Sequence, residues 1–297
     1  MGDHVSGAIS YDLDDEDVDF DANFNLEETE YYSHEKLNSL LQAKRKSDIS
    51  AIHINIRSLP SRIGDLTNTL SSLDFYPDII GLSETKITIK ANSHFNPCIP
   101  NYNFFQSQYS TCSGSVGVFV KNKFVVKVRN DLDITVPGLF ETVWFDIEHN
   151  TRGKKSTFGI VYRHPGFTDI PFFQRKLDTT LHKLNRSKNS FFIMGDFNID
   201  SLHYDSLHNI KDFVDMVHTH SVVNLINKPT RFPIGAQLGS PALLDHFYTN
   251  QPNKINKVGL LVDDISDHFP IVTIISEKMK KKYARVMFIL LFVIFAI

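Results

Sequence analysis

At 297 residues, 42% hydrophobic and 22% charged, with only 14 glycines and 12 prolines, the chain is neither collagen-like, low-complexity nor wholly disordered. Its net charge of -3 conceals a segregation, because residues 1–33 hold eleven acids and no Lys or Arg. The remainder carries 31 basic against 23 acidic residues, and residues 51–276 only 22 against 20, so charge permits an anionic partner without requiring one.

Two cysteines, Cys98 and Cys112, are too few for a disulfide framework or a cysteine-based zinc site. A reducing, intracellular compartment is expected, nuclear or cytoplasmic. No basic segment followed by an apolar stretch opens the chain, so a secretory leader is not expected.

In chain order, residues 1–33 read as a solvated, disordered acidic head. Asp17, Asp19, Asp21 and Glu28 have the spacing of a calcium loop, but Ala22 stands where the sharp turn needs glycine. Residues 34–49, with Lys44-Arg45-Lys46, read as a basic linker or leading helix. Residues 50–276 form the globular unit. Residues 52–56 are apolar and β-branched, and so a buried strand. Ile63, Leu66, Leu70 and Leu73 mark a helix face, and residues 78–82 a second strand, together a βαβ-like unit.

Residues 116–120 and 125–128, separated by Lys121-Asn122-Lys123, predict a hairpin. Strands follow at 143–147 and 157–162. Phe173, Leu177, Leu181 and Leu184 recur at helical spacing before a strand at 191–194. A helix over 210–218 and short strands near 247, 258–262 and 271–275 close the unit. Mixed βαβ and hairpin signals predict α/β layers on partly antiparallel sheets. No Gly-rich phosphate loop is present, which excludes P-loop and dinucleotide-binding enzymes.

Residues 277–297 form a basic and then apolar tail. Its last twelve residues, 286–297, are all apolar, short of the ~20 that a spanning helix needs. A membrane contact through this tail is one reading; a tail that has lost, or never had, a downstream domain is the other.

Polar residues gather at the ends of the predicted strands: Asn55 in "INIRSL", Glu84 in "IIGLSET", Asp196 and Asn198 in "IMGDFN", Asp245 in "LLDHFYTN", and Asp267 and His268 in "SDHFPIV". Loops at strand ends are where layered α/β proteins assemble their sites. Carboxylates with an amide suit a hard cation, Mg²⁺ or Mn²⁺, rather than zinc. Taken singly, each has a plainer explanation as a turn, cap or structural hydrogen bond.

In this order, together with "SVGVFV" and "GIVYRHP", these motifs resemble the endonuclease/exonuclease/phosphatase superfamily, and within it the apurinic-type endonuclease domain of non-LTR (LINE-type) retrotransposons. The resemblance spans about residues 50–275. It implies a four-layer α/β sandwich, two packed mixed sheets flanked by helices. It further implies that Glu84 is the principal metal ligand, with Asn55 and Asp267 in or beside the metal site. Asp196 would position or deprotonate water, with Asn198 holding it. His268, oriented by Asp245, would donate to the scissile phosphate, and Tyr162 would lie against it. Arg163 and Arg231 would contact phosphate. The implied partner is DNA, nicked to leave a 3′-hydroxyl. The alternatives are a phosphoinositide or sphingomyelin-type phosphohydrolase, or a non-catalytic remnant of a truncated element.

Overall fold

The computed structural model describes residues 28–73, 76–87, 95–107, 114–148, 155–233 and 240–276. Seventeen strands and helices are built from them. Strand β1 is Glu30–Tyr32, followed by α1 His34–Gln42, β2 Ile49–Asn55, α2 Leu59–Ser72 and β3 Ile79–Ser83. Then come β4 Tyr102–Gln106, β5 Val116–Lys121, β6 Val126–Val128, β7 Phe140–Glu148 and β8 Lys155–Arg163. The last are α3 Ile170–Ser187, β9 Ser190–Asp196, α4 His208–Thr219, β10 Val223–Asn224, β11 Asp245–Thr249, β12 Ile255–Leu261 and β13 Ile271–Ile275.

The strands form two mixed sheets, in the orders β1-β12-β13-β2-β3-β5-β4 and β10-β11-β9-β8-β7-β6. Side-chain alternation explains why they face each other. Along β2, Ile49 and Ala51 join Val116 and Val118 of β5 in a core shared with Phe145, Phe158, Phe192 and Phe247 of the second sheet. The intervening Ile52 and Ile54 point the other way, onto Leu37 and Leu41 of α1 and Leu66 and Leu70 of α2. On the far side, Val161, Phe191 and Ile193 pack on Phe173, Leu177 and Leu181 of α3 and Phe213 of α4. Both sheets are thus apolar on both faces, and each is closed by a helix pair. The architecture is the expected four-layer sandwich.

The predicted βαβ crossover forms, since β2 pairs with β3 in parallel register, and a second joins β8 to β9 through α3. The predicted hairpin does not form. Strand β5 lies between β3 and β4 in the first sheet, while β6 pairs with β7 in the second. The Lys121-Asn122-Lys123 segment therefore carries the chain between sheets. Two of these lysines are held there by buried Asp78, at 2.7 Å from Lys123 and 3.4 Å from Lys121.

A second departure lies at the amino end. Glu30–Tyr32, part of the expected acidic head, is an edge strand parallel to β12. Tyr32 is buried in the core with α1, and its hydroxyl donates to the Val258 carbonyl at 3.1 Å. The high acid count hid two tyrosines, Tyr31 and Tyr32, whose side chains pack with the core. Of the calcium-loop residues only Glu28 is described, 2.9 Å from Lys228; Asp17, Asp19 and Asp21 lie outside the described residues, as do Cys112 and the 286–297 tail. Cys98 is a free, exposed thiol. Among the described residues, no helix is long and apolar enough to cross a membrane.

Candidate active site

The inward-facing stripes of the two sheets are apolar until they reach one end of the sandwich, where they turn polar. In the second sheet Tyr162 of β8 lies beside Asp196 of β9, and Asp196 beside Asp245 of β11, in direct register across three neighbouring strands. The first sheet presents Asn55, at the end of β2, to this row. Its amide nitrogen donates to Asp196 Oδ2 at 2.9 Å and to Glu84 Oε1 at 3.0 Å. Only the nitrogen can face two carboxylates favourably, which leaves Oδ1 to accept from the Arg57 amide at 3.2 Å.

Local backbone geometry aims these groups. Gly195 precedes Asp196 where a Cβ would fall 1.9 Å from the Val161 carbonyl oxygen, so glycine alone admits this approach of β9 to β8. Glu84, directly after β3, and Asn198, two residues past the end of β9, have positive φ, 52° and 48°. Such a left-handed residue turns the chain sharply off the strand, and for Glu it is an uncommon conformation that surrounding contacts must hold. Here the Thr85 and Lys86 amides donate to the Ser115 and Gly114 carbonyls at 3.1 and 2.8 Å.

His268 enters from the loop before β13. Its Nδ1 lies 2.7 Å from Asp245 Oδ2, which also accepts from the Thr230 hydroxyl at 2.8 Å. Burial disfavours a charged imidazole, yet Asp245 and Asp196 outweigh it and hold the pKa of His268 up at about 9. Asp196 moves the other way from an ordinary carboxylate. Burial and then the charge of Asp245 push its pKa up to about 7, against the opposing effect of His268. Asp245 is itself held below the usual carboxylate range: burial raises it, but His268 wins. Burial, then Glu84 and Asp196, raise the Tyr162 phenol, which stays protonated.

The structure brings some of the residues singled out from sequence together and places others elsewhere. Hydrogen bonds unite Asn55, Glu84 and Asp196, and they couple Asp245 to His268. Asn198 does hold Asp196, but through its backbone N–H, 3.0 Å from Oδ1, while its side chain donates to the Arg163 carbonyl. Arg163, expected on phosphate, is buried, and its guanidinium donates to the carbonyls of Phe197, Asn198 and Phe167. It clamps the turn that carries Asp196 and has no reach to a ligand. Asp267, expected with Glu84, gives Oδ2 instead to Arg57 at 3.1 Å and Arg231 at 3.0 Å. Arg231, about a third exposed, remains at the rim of the site.

Three contributors escaped sequence reasoning. Thr230 sits in "PTR" beside the arginine that drew attention. His53 is a buried strand residue whose Nδ1 lies 3.7 Å from Asp245 Oδ1, with its pKa pushed down to about 4 by burial. His164, in "VYRHP", contacts both oxygens of buried Glu141 at 3.0 and 3.1 Å. No periodic signal marks any of them; Gly114, whose Cβ would lie 2.5 Å from the His164 ring, is the one local trace.

A model of the endonuclease/exonuclease/phosphatase family matches residues 52–268, from the first strand of the site to His268. The chain belongs to that family. No curated protein sequence is significantly similar to this member. Among solved structures, the endonuclease domain of TRAS1, a telomere-specific non-LTR retrotransposon, is similar at 14% identity and a TM-score of 0.59, covering 77% of this chain and 98% of that one. The AP endonuclease LMAP of Leishmania major reaches 0.65 at 14% identity, over 80% and 90% of the two chains. The D. rerio TDP2, solved with a single-strand DNA product, gives 0.54 at 14% identity, over 77% and 99%. At these identities the likeness is one of fold.

The family's divalent cation fits the donor set of this member. Glu84 and Asp196 bring carboxylates to one amide, and Asp245 lies beside Asp196 on the neighbouring strand. Asp267 Oδ1 is buried without a hydrogen-bond partner, as a carboxylate oxygen awaiting a cation or donor would be.

Proposed function

We propose that this chain is a metal-dependent DNA endonuclease of the non-LTR retrotransposon type, which nicks one strand and leaves a 3′-hydroxyl. The observation that carries the reading is the row Tyr162, Asp196, Asp245 facing Asn55, with His268 hydrogen-bonded to Asp245. The motif series, and a fold similar to the TRAS1 endonuclease domain over nearly all of that chain, favour DNA over phospholipid or phosphosugar substrates.

Phosphodiester hydrolysis requires an in-line water, neutralisation of charge on the non-bridging oxygens and help for the leaving oxygen. Asp196, with a pKa near 7, is suited to orient water and accept its proton at neutral pH. His268 stays protonated to about pH 9 and donates a charge-assisted hydrogen bond to a phosphate oxygen. Tyr162 supplies a neutral phenolic donor beside it. Glu84, with Asn55 beside it, would hold Mg²⁺ or Mn²⁺, with the unpartnered Oδ1 of Asp267 as a further oxygen, and the cation's Lewis acidity would offset charge growing on the phosphate.

The test is conversion of supercoiled plasmid to nicked circles with Mg²⁺ or Mn²⁺, abolished by chelator and by Asp196→Asn. Folded protein that leaves the plasmid supercoiled with both metals refutes the proposal.

A further inference from the structure

Two imidazoles and a carboxylate meet on the outer helical layer, away from the strand ends that form the active site. Asp178 and His182 stand one turn apart on α3, next to Leu177 and Leu181, which anchor that helix in the core. His220 caps the carboxy end of α4 and is buried. Its Nε2 lies 2.7 Å from Asp178 Oδ1, and His182 Nε2 lies 3.8 Å from Asp178 Oδ2. The two rings stand edge to face with centroids 4.5 Å apart, and the three ligand atoms fall within 4.8 Å of one another.

The geometry points to a zinc site formed by Asp178, His182 and His220, tying the end of α4 to α3. Imidazole and carboxylate suit Zn²⁺, whereas the oxygen-rich active site suits Mg²⁺. A hydrogen bond between Asp178 and His220 needs no third group, yet His182 directs its nitrogen at the remaining carboxylate oxygen. Tetrahedral ligands about 2 Å from zinc stand ~3.3 Å apart. Mostly exposed His182 and part-exposed Asp178 can close to that spacing, with His220 as the fixed arm and solvent supplying the fourth ligand.

Asn185 tunes the site. Its amide nitrogen now lies 3.3 Å from His220 Nδ1 and donates to the His220 carbonyl at 3.1 Å. Metal at Nε2 places the ring proton on Nδ1, where an acceptor is then required. Loading is therefore coupled to a turn of the Asn185 amide, and a carboxylate at this position favours it.

Zinc uptake by the full chain can be read by competition with a chromophoric chelator, and Co²⁺ by its tetrahedral visible absorption. Glu84→Gln in every sample weakens metal binding at the active site. His182→Ala, an exposed change that leaves the fold intact, should lower the affinity of one zinc equivalent at least ~10-fold and remove the Co²⁺ band. Asn185→Asp should tighten it. Nicking by His182→Ala in the otherwise unaltered chain should be unchanged, so the outcome is separate from that of the endonuclease assay. Equal zinc affinity with and without His182, or no zinc uptake by the Glu84→Gln chain, overturns the site.

Discussion

Asn55 and Asp196 belong to different sheets and lie 141 positions apart, yet the Asn55 amide donates to the Asp196 carboxylate at 2.9 Å and to Glu84 at 3.0 Å. One neutral side chain therefore joins the two acids at a common point, while Lys86 Nζ pairs with the other Glu84 oxygen at 3.2 Å. Asn55→Ala should remove this donor while sparing the strand, lowering nicking ~10²-fold and raising the Mg²⁺ needed for half-maximal rate. Wild-type titrations by Asn55→Ala would rule out the bridging role.

His268 carries its charge because of Asp245. Its folded pKa of about 9 exceeds the ordinary histidine value of 6.5, so the stabilisation is full below pH 6.5 and is lost as pH rises through about 9. Thermal melts of chelator-treated protein should fall across that window by the equivalent of ~1–3 kcal/mol, since one pKa unit is worth ~1.4 kcal/mol. Asp245→Asn should flatten the fall and move the alkaline limb of the nicking profile toward neutral pH. An unshifted limb would disprove the pairing's role.

Arg163 acts on the backbone. Arg163→Ala would strand the buried Phe197 carbonyl and remove the donors of the part-buried Asn198 and Phe167 carbonyls, at a cost of ~1–3 kcal/mol. The melting temperature should drop steeply, and Arg163→Lys should recover only part of it, because an ammonium cannot span the carbonyls of Phe197, Asn198 and Phe167. A variant with unaltered melting but weaker DNA binding would restore the phosphate role expected from sequence.

Arg57 and Arg231 share one oxygen of Asp267, so a DNA phosphate reaching the rim competes with that carboxylate for both. Arg57→Ala and Arg231→Ala should each reduce the slope of log affinity against log salt by ~0.9, the signature of one lost phosphate contact. A full slope in both would show that neither touches DNA.

The amino-terminal boundary can be set by truncation. Deleting residues 1–27 should leave melting and nicking intact and slightly strengthen DNA binding at low salt, because nine acids and no Lys or Arg are removed. Deleting residues 1–33 also removes β1 and buried Tyr32, and should cost ~2–4 kcal/mol. Equal stability of the two truncations would return β1 to the acidic head.

Period and polarity along the chain were enough to find the alternation of strands and helices, the first parallel crossover and the polar residues that end several strands. Those signals are local, because a buried stripe and its polar terminus are written within a few neighbouring residues. Sheet membership is not local: residues 116–121 and 126–128 look like the arms of a hairpin, and only pairing with β3 and β7 assigns them to different sheets. The same holds in the site. The identities of Asp267 and Arg163 were legible, but their partners were not, and Thr230 was not singled out at all. Arg57 and Asp267 are 210 positions apart, and which carboxylate meets which cation depends on sheet register and packing angle, quantities that no short stretch of sequence encodes.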